Sequence, residues 1–452
     1  MWEEIRKRFE EHAPVSVMGR MLLERALDAE WIDAMFVEHS RRQYQKELLF
    51  SSVVELVTLV SVGLRPSLHA AAKKMETLPV SLAALYDKVK RTEPAVLRAL
   101  VQGSAGRLTS VVSATPRASS LAGWQLRVLD GNHLPASEKR LKPLRQRRGA
   151  ALPGHTLVVY DPDSELVTDI VACEDAYASE RTGVEPLLAS AQPGQLWIAD
   201  RNFCTQTILI GWHQAQACFL VREHSGHPRL ISQGEVRSCE PNETGKLYEQ
   251  QISIAEGPAD WRRIELQLET PTEAGDTVIR LWSNLPDTVT ARQIAELYRK
   301  RWRIEGMFQR LESVLKSEIT SLGHPKAALL GFAVALLAHN ILAMLKRCVE
   351  YAHRERVPQL EVSTYHLALH LRSGYEGMLI AIPPPQWEDW DKLDPDNLTQ
   401  RLLLLALKTN PKSLATAKRG PKIKQQKAYL KVNDASAHFS THRVLNLARK
   451  TP

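Results

Sequence analysis

The spacing of apolar residues changes character along the chain. Residues 1 to about 115 repeat apolar positions every three to four residues, and the strongest run, "SSVVELVTLVSVGL", ends two residues before Pro66. From about residue 124, short β-branched runs such as "LRVLD", "HTLVVYDPDSELVTDIVAC" and "QLWIAD" alternate with turn residues. Helical spacing returns near residue 290. These changes predict a helical N-terminal domain (1–115), a mixed α/β domain (116–350) and a helical C-terminal region (351–452).

Within the mixed domain, "DPDS" between two apolar runs predicts a hairpin turn. Strand-like pieces separated by polar turns predict a β-rich insertion over about 210–288. A hairpin, then a helix, then a further strand is typical of a mixed sheet covered by helices, so the fold class is α/β.

Two apolar runs are long enough to be tested against a membrane. "LLFSSVVELVTLVSVGL" contains Glu55, and "AALLGFAVALLAHNILAML" contains His339 and Asn340. Polar residues at these positions favour buried core helices over membrane spans. We therefore expect no membrane partner.

Charge is unevenly distributed. The chain has 44% hydrophobic and 24% charged residues and a formal net charge of +8. Residues 401–452 carry 12 Lys and Arg residues and one acid, a net +11, whereas the remainder has 47 basic and 50 acidic residues, a net −3. A basic tail on a nearly neutral body favours a polyanionic partner, most often nucleic acid, and is equally compatible with a solvated tail.

The five cysteines are odd in number, and no pair has the spacing of zinc ligands. They are predicted to be free thiols in a reducing compartment, which favours a cytoplasmic protein. The sequence has no HExxH, CxxC, GxxxxGK[ST] or GxGxxG motif, so neither a histidine- or cysteine-based metal centre nor a nucleotide cofactor is indicated.

Residues 296–318, "ELYRKRWRIEGMFQRLESVLKSE", are predicted to form one helix. At about 100° per residue, Tyr298, Arg301 and Glu305 lie along one border of its apolar stripe. A side chain there can be held by packing and still reach a cleft. Taken alone, the tyrosine could simply pack at a helix edge and the arginine could pair with the glutamate.

Two aspartates share one setting. Asp130 ends "LRVLD" and Asp200 ends "LWIAD", and each is followed by turn-forming residues. Carboxylates at the C-terminal ends of strands lie where α/β folds place active sites, although a turn or capping aspartate is also common there. Together with Glu305 they would give three carboxylates on separate elements, a ligand set suited to a pair of hard divalent cations such as magnesium.

The order of these motifs resembles the DDE transposases of bacterial insertion sequences, in the branch called the insertion-sequence-four family. Its signature is Tyr-x2-Arg-x3-Glu-x6-Lys, and "YRKRWRIEGMFQRLE" supplies Tyr298, Arg301 and Glu305 at matching spacing. "LRVLDGNHLP" and "WIADRNF" are similar to the first and second aspartate motifs of the family. The resemblance covers about 124–345.

The resemblance implies a ribonuclease-H-like core with a β-rich insertion, in which Asp130, Asp200 and Glu305 are catalytic and hold two Mg²⁺ or Mn²⁺ ions. The implied activity is metal-dependent cleavage of double-stranded DNA at terminal inverted repeats, followed by joining of the 3′-hydroxyl to target DNA. Related enzymes pass through a DNA hairpin, and both routes stay open here. A homodimer in the DNA complex and a cytoplasmic, nucleoid-associated bacterial protein are implied as well.

One departure concerns the signature lysine. The family's spacing puts it at residue 312, where this chain has Glu312. Lys316, one helical turn further on, is our hypothesis for its substitute, and an ion pair with Glu312 is an equally good explanation of this lysine.

Further DNA contacts are predicted from the chemistry of side chains near the three acids. Arg301 suits a phosphate oxygen by bidentate contact and Tyr298 suits DNA near the cut. The basic run "EKRLKPLRQRRG" could be a solvated loop, but beside a phosphoryl-transfer site it favours contact with the DNA backbone. The predicted DNA-binding residues are Tyr298, Arg301, Lys316, Arg201, Lys142, Arg145, Arg147 and Arg148. The N-terminal helices are the predicted reader of the transposon ends.

Two alternatives stay open. One is a catalytically inactive, transposase-derived DNA-binding protein, which Glu312 would favour. The other is a glycoside hydrolase that uses paired carboxylates, for which the basic tail and the Tyr-Arg-Glu motif give little support.

Overall fold

A computed structural model describes residues 1–43, 47–75, 78–146, 148–226, 228–258, 260–272 and 275–417. Residues 1–415 form one compact unit, here called the first unit. The first unit is a mixed α/β structure with a large central sheet and helices, which confirms the predicted fold class at this level.

The N-terminal part is helical, as its periodicity predicts. Side chains of Asp28, Ser67 and Ser81 accept hydrogen bonds from backbone N–H groups at three helix starts, which satisfies donors that a helix leaves unpaired. The helices are α1 (Trp2–His12), α2 (Pro14–Ala26), α3 (Ala29–His39), α4 (Phe50–Ser61), α5 (Leu68–Lys74), α6 (Leu82–Val89), α7 (Pro94–Arg107) and α8 (Thr109–Ala114).

The central part contributes ten strands of one sheet and two helices in the described residues. The strands are β1 (Gln125–His133), β2 (His155–Asp161), β3 (Leu166–Cys173), β4 (Gln195–Ala199), β5 (Cys218–Arg222), β6 (Leu230–Gln233), β7 (Arg237–Asn242), β8 (Gly245–Ile254), β9 (Trp261–Leu268) and β10 (Val278–Ser283). The helices are α9 (Glu185–Ala189) and α10 (Gln206–Gln214).

The sheet has the order β3-β2-β1-β4-β5-β10-β9-β8-β6, and β7 also pairs with β8. β1, β4 and β5 are mutually parallel neighbours, and the other pairings are antiparallel. β2 and β3 form the hairpin predicted at "DPDS". Two parallel neighbours, β1 and β4, thus bring their carboxyl ends to the same edge of the sheet.

The C-terminal part of the first unit is again helical. α11 begins with a capping box in which Thr290 and Gln293 bond reciprocally, as the sequence predicts. The helices are α11 (Ala291–Arg299), α12 (Trp302–Ser313), α13 (Pro325–His353), α14 (Thr364–Ala381), α15 (Glu388–Asp391), α16 (Pro395–Leu407) and α17 (Pro411–Leu414).

The single helix predicted over 296–318 is wrong. Two helices, α11 and α12, meet at Lys300 and Arg301, where backbone N–H groups bond three residues back instead of four. Side chains on both sides of this junction are tied to other segments: the Lys300 ammonium bonds the Ser120 hydroxyl, and Arg303 Nη1 donates to the Pro162 carbonyl at 2.9 Å. These tertiary contacts stabilise the tighter, 3-10-like turn at the junction, which the apolar periodicity of the sequence does not predict.

α13 is the centre of the structure. Among the described residues it is the helix long and apolar enough to cross a membrane, but 94% of its most apolar window is buried in the protein, so the prediction of a core helix is confirmed. Asn340, fully buried, accepts from the Val167 N–H at 2.8 Å and donates to the Val167 carbonyl at 2.9 Å. This amide thereby pairs backbone groups of β3, the strand at one edge of the sheet.

Both faces of the sheet are covered. Val128, Val158 and Ile198 belong to a large core shared with α13 and the N-terminal helices. The opposite face packs with α9 and α10 in a second core that includes Trp261 and Trp282. The five cysteines are free thiols, as predicted.

Candidate active site

Asp130 and Asp200 follow the last paired residues of two neighbouring parallel strands. The β1–β4 pairing ends at Leu129 and Ala199, and the two aspartates come next on each strand. Asp200 caps a short 3-10 turn (Arg201–Phe203), where its Oδ1 accepts from the Asn202 N–H at 2.7 Å. β1 itself continues to His133 because it still pairs with β2, so the prediction that Asp130 ends its strand is wrong, although it ends the parallel pairing.

Glu305 lies in the first turn of α12 and is joined to Asp130 through Arg301. Arg301 Nη2 donates to Glu305 Oε1 at 2.8 Å, and Nη1 donates to Asp130 Oδ2 at 3.2 Å. Arg301 is buried, whereas the Glu305 side chain is 38% exposed. One guanidinium therefore brings together two acids that lie far apart in the chain.

Electrostatics couple all three acids. Burial raises the pKa of Asp130 to about 6, Arg301 opposes this rise, and the charges of Asp200 and Glu305 add to it. Three carboxylates and one guanidinium leave this group of residues with excess negative charge, which a bound cation would neutralise.

Tyr298 and Trp302 flank Arg301. Burial raises the pKa of Tyr298 to about 12, and the charge of the neighbouring Arg301 opposes this rise. The Arg301 guanidinium carbon lies 4.7 Å from the centre of the Trp302 ring, and that ring is largely exposed. The Tyr298, Arg301 and Glu305 side chains thus meet despite the break between α11 and α12.

Glu180 and its neighbours, which the sequence analysis missed, support the aspartate strands. The Asn202 amide donates to Glu180 Oε2 at 2.7 Å, and Arg181 Nε donates to the Asn202 carbonyl at 2.7 Å. A Cβ placed on Gly131, next to Asp130, would lie 2.0 Å from Glu180 Oε1. Glu180 therefore touches the residues that follow both aspartates, and no sequence motif marks it.

The donor chemistry of the three acids fits a hard divalent cation. In the described part of the chain, no group of three or more His, Cys, Asp and Glu side chains is already arranged to hold a metal ion. Asp130 and Glu305 nevertheless share one cationic group, the Arg301 guanidinium, and every donor of the trio is a carboxylate oxygen.

The other predicted DNA-binding residues lie on exposed segments. Arg201 is in the 3-10 turn directly after Asp200 and is exposed. Lys142, Arg145 and Arg148 lie in the connection between β1 and β2 and are exposed, and Arg147 lies outside the described residues. The base of this connection is fixed by a bond from the Glu138 N–H to the Thr320 carbonyl at 3.0 Å.

Lys316 does not lie on α12 as predicted. α12 ends at Ser313, and the Lys316 backbone N–H donates to the Ser61 carbonyl at 2.8 Å, which draws the chain away from the helix axis. Glu312 stays on α12 and, with Asn132 and His133, borders a small cavity at the end of β1. The position of the signature lysine is thus occupied by an acid close to the Asp130 strand.

Comparisons with known proteins agree with these motifs. Residues 125–341, from β1 into α13, match the family model described as "Transposase DDE domain". A curated relative, "Putative transposase y4zB" of Sinorhizobium fredii, is 25% identical over 197 residues, which are 42% of this chain and 52% of the relative. The match thus spans about half of that relative's length.

Among solved structures, a "piggyBac transposase synaptic complex with hairpin DNA" is similar with a TM-score of 0.37 and 10% identity. The alignment covers 86% of each chain.

Proposed function

We propose that this protein is a DDE transposase of the insertion-sequence-four type, which cuts the ends of a mobile element and joins them to target DNA. The observation that carries the proposal is the Arg301 guanidinium that bonds both Asp130 and Glu305, with Asp200 at the end of the neighbouring parallel strand, within the segment that matches the transposase DDE domain.

The strand arrangement supports a ribonuclease-H-like catalytic core. β3, β2 and β1 form an antiparallel meander, and β4 and β5 add parallel to β1. In this proposal the catalytic domain is 116–350, and the strands after β5 form most of the insertion predicted at about 210–288. Residues 1–115 bind the DNA ends, and residues 351–452 add a basic tail.

The proposed reaction is phosphoryl transfer on double-stranded DNA. Water displaces the 3′-oxygen at an element end and leaves a 3′-hydroxyl and a 5′-phosphate; the 3′-hydroxyl then attacks a phosphodiester of the target and releases its 3′-oxygen. Two Mg²⁺ or Mn²⁺ ions, when bound, would stabilise the attacking and leaving oxygens. Asp130, Asp200 and Glu305 are the residues that would hold them.

The cationic residues bind and orient the DNA. Arg301 is held by two carboxylates and stacked on Trp302, so its guanidinium is oriented before substrate arrives. Tyr298 stays protonated because burial raises the pKa of its hydroxyl. Arg201, Lys142, Arg145, Arg147, Arg148 and Lys316 are proposed to contact the phosphate backbone, which fixes register without reading sequence.

The test is cleavage of a DNA duplex that carries the inverted repeats flanking the coding region. We expect Mg²⁺- or Mn²⁺-dependent cuts at the repeat ends that EDTA abolishes. Asp130→Asn, Asp200→Asn and Glu305→Gln should each lower the rate by about 1,000-fold or more while the affinity for the duplex stays within about threefold. A wild-type rate equal to that of the three variants would overturn the proposed activity.

The alternative is a catalytically inactive, transposase-derived DNA-binding protein, favoured by the acid at position 312. The same assay separates the two: specific binding of the repeats without cleavage in either metal supports the alternative. Restoring the signature residue with Glu312→Lys should then raise cleavage if the acid is the cause.

Synapsis of two element ends in this proposal needs a homodimer in the DNA complex. The free thiols and the buried α13 agree with the proposed cytoplasmic, nucleoid-associated location. Fractionation of bacterial cells that express the tagged chain, with and without nuclease treatment, tests this location.

A further inference from the structure

One carboxylate outside the predicted site lies against the residues that follow both of its aspartates. Glu180 begins a short 3-10 helix (Glu180–Gly183) after β3 and is partly buried. β3 runs parallel to β1, because both strands pair antiparallel with β2. The chain therefore leaves β3 at the same edge of the sheet where Asp130 and Asp200 lie. The proposed function gives this glutamate no part.

On the Asp200 side, Glu180 acts through two hydrogen bonds in series. Asn202 Nδ2 donates to Glu180 Oε2 at 2.7 Å, and the Asn202 N–H donates to Asp200 Oδ1 at 2.7 Å. Arg181 Nε also donates to the Asn202 carbonyl at 2.7 Å, which restrains Asn202 from a second direction. Glu180 thereby fixes the residue whose N–H orients the Asp200 carboxylate.

On the Asp130 side, Glu180 makes a close contact with the backbone. The Gly131 N–H donates to Asp130 Oδ1 at 2.9 Å. Glu180 Oε1 occupies the space beside Gly131, since a Cβ on this glycine would lie 2.0 Å from that oxygen. The two oxygens of Glu180 therefore restrict the two residues whose N–H groups orient the Asp130 and Asp200 carboxylates.

We propose that Glu180 is a positioning residue that sets the separation of the Asp130 and Asp200 carboxylates and thereby raises the affinity of the site for divalent cations. The inference rests on the proposed function, in which these aspartates hold Mg²⁺ or Mn²⁺. Magnesium demands near-ideal octahedral geometry, so a change in the separation of two ligands weakens its binding. Removing a group that orients metal ligands typically lowers metal affinity by about 10- to 100-fold.

Glu180 acts through its neighbours and not as a ligand. Its Oε2 is bonded to the Asn202 amide, and its Oε1 packs beside Gly131. Successive residues of a strand face opposite sides of a sheet, so the contact at Gly131 lies on the side away from the Asp130 carboxylate. From that position Glu180 supports both aspartates from behind the metal site.

Manganese binding to the purified, nuclease-treated full-length chain tests the proposal without reference to catalysis. The electron paramagnetic resonance signal of free Mn²⁺ gives the Kd, and the double variant Asp130→Asn with Asp200→Asn gives the background from other carboxylates. We expect Glu180→Ala to raise the Kd about 10- to 100-fold. Glu180→Gln should raise it by less than about threefold, because its amide oxygen can still accept from Asn202.

Glu185→Ala is the matched control. Glu185 is an exposed glutamate in the first turn of α9, five residues after Glu180. Its removal changes the net charge of the chain by the same amount and should leave the Kd for Mn²⁺ unchanged. A Kd raised equally by Glu185→Ala and Glu180→Ala would show an effect of net charge alone and would overturn the proposal.

Asn202→Ala tests whether Glu180 acts through Asn202. This substitution should raise the Kd about tenfold. The double variant with Glu180→Ala should bind Mn²⁺ no more weakly than Glu180→Ala alone, because both changes remove the same hydrogen bond. Effects that multiply in the double variant would show independent damage to the fold and would contradict the proposed role.

The outcomes separate this inference from the proposed function. If the two aspartate substitutions leave Mn²⁺ binding unchanged, the metal site is absent and both fail. If those substitutions abolish binding but Glu180→Ala leaves the Kd unchanged, only the role of Glu180 fails. Cleavage gives a further measure: Glu180→Ala should need about 10- to 100-fold more Mg²⁺ for its half-maximal rate and approach the wild-type rate at saturation.

Discussion

At the scale of single residues, the candidate active site is supported from both sides of the sheet. Asp130 faces α12 and bonds Arg301, and the next residue, Gly131, faces the opposite side and touches Glu180. The sequence shows the three acids because each belongs to a recognisable motif. The sequence does not show the hydrogen bond from Arg301 to Asp130, because the two residues are 171 positions apart. It does not show the role of Glu180 either, because that role follows only from the close contact of Glu180 with Gly131 in the folded chain.

The contact between Gly131 and Glu180 gives a test by double substitution. Gly131→Ala should lower the free energy of unfolding by about 1–3 kcal/mol, because its Cβ would lie 2.0 Å from Glu180 Oε1. Adding Glu180→Ala should recover most of that loss, although Glu180→Ala alone is destabilising. Urea unfolding measures all three variants.

Gly149→Ala is the control for that cycle, since a Cβ at this exposed glycine would meet no atom of the described residues within 4 Å. Its effect should stay within about 0.5 kcal/mol. Additive effects of Gly131→Ala and Glu180→Ala would contradict the proposed contact.

At the scale of elements, α13 and the β2–β3 hairpin are joined by polar groups inside the core. Asn340 bonds both backbone groups of Val167, and His339 contacts the Glu165 carbonyl at 3.2 Å. The hairpin turn is predictable from its turn residues, and the buried helix α13 is predictable from the length of its apolar run. The break between α11 and α12 is not, because Ser120 and Pro162 hold it from distant parts of the chain.

Asn340→Leu tests the link between α13 and β3. Leucine has a similar size and favours helix, yet the Val167 N–H and carbonyl would lose their partner in a dry core. We expect a loss of about 2–4 kcal/mol in the free energy of unfolding, measured by urea denaturation. Gln309→Leu, on the exposed surface of α12, should change it by less than about 0.5 kcal/mol.

Glu165, in the turn of the same hairpin, should make stability depend on pH. Burial raises the pKa of this carboxyl, but Lys346 and Arg117 lower it further, to about 2. The folded protein therefore favours the charged form, and the stabilisation is complete above about pH 4.5 and is lost as the pH falls towards 2. The side chain is mostly buried, so the contribution is at most about 3 kcal/mol.

The measurement is the free energy of unfolding between pH 6 and pH 3 for the wild type and for Glu165→Gln. The variant should be less stable at pH 6, and the difference should shrink as the pH falls. A difference that is constant with pH would show that Glu165 contributes through its shape and not through its charge.

At the scale of the whole molecule, charge is separated along the sequence. Residues 418–452 carry nine Lys and Arg residues and one acid, so residues 1–417 have equal numbers of basic and acidic residues, 50 of each. The tail lies outside the described residues, and its predicted role in DNA binding stays a prediction.

The mixed α/β class follows from the order of strand and helix patterns in the sequence. The order of the strands in the sheet does not, because it depends on which strands pair in three dimensions.

Deleting residues 418–452 should weaken non-specific DNA binding and make it less dependent on salt. Each phosphate contact that is lost lowers the slope of log affinity against log salt by about 0.9, so nine basic residues could contribute several units. Fluorescence anisotropy with a random-sequence duplex between 50 and 300 mM salt measures the slope. An unchanged slope would assign the binding to residues 1–417.

The position of α13 in the chain has a consequence for synthesis. This helix covers the sheet and packs against helices from the N-terminal part, yet it follows all ten described strands in the sequence. A ribosome that has finished β10 has therefore produced a sheet whose apolar face still lacks the part of its cover that α13 provides, and that nascent chain is prone to aggregate until residue 353 emerges. Truncated chains that end before residue 325 should accumulate as inclusion bodies and not as smaller soluble proteins.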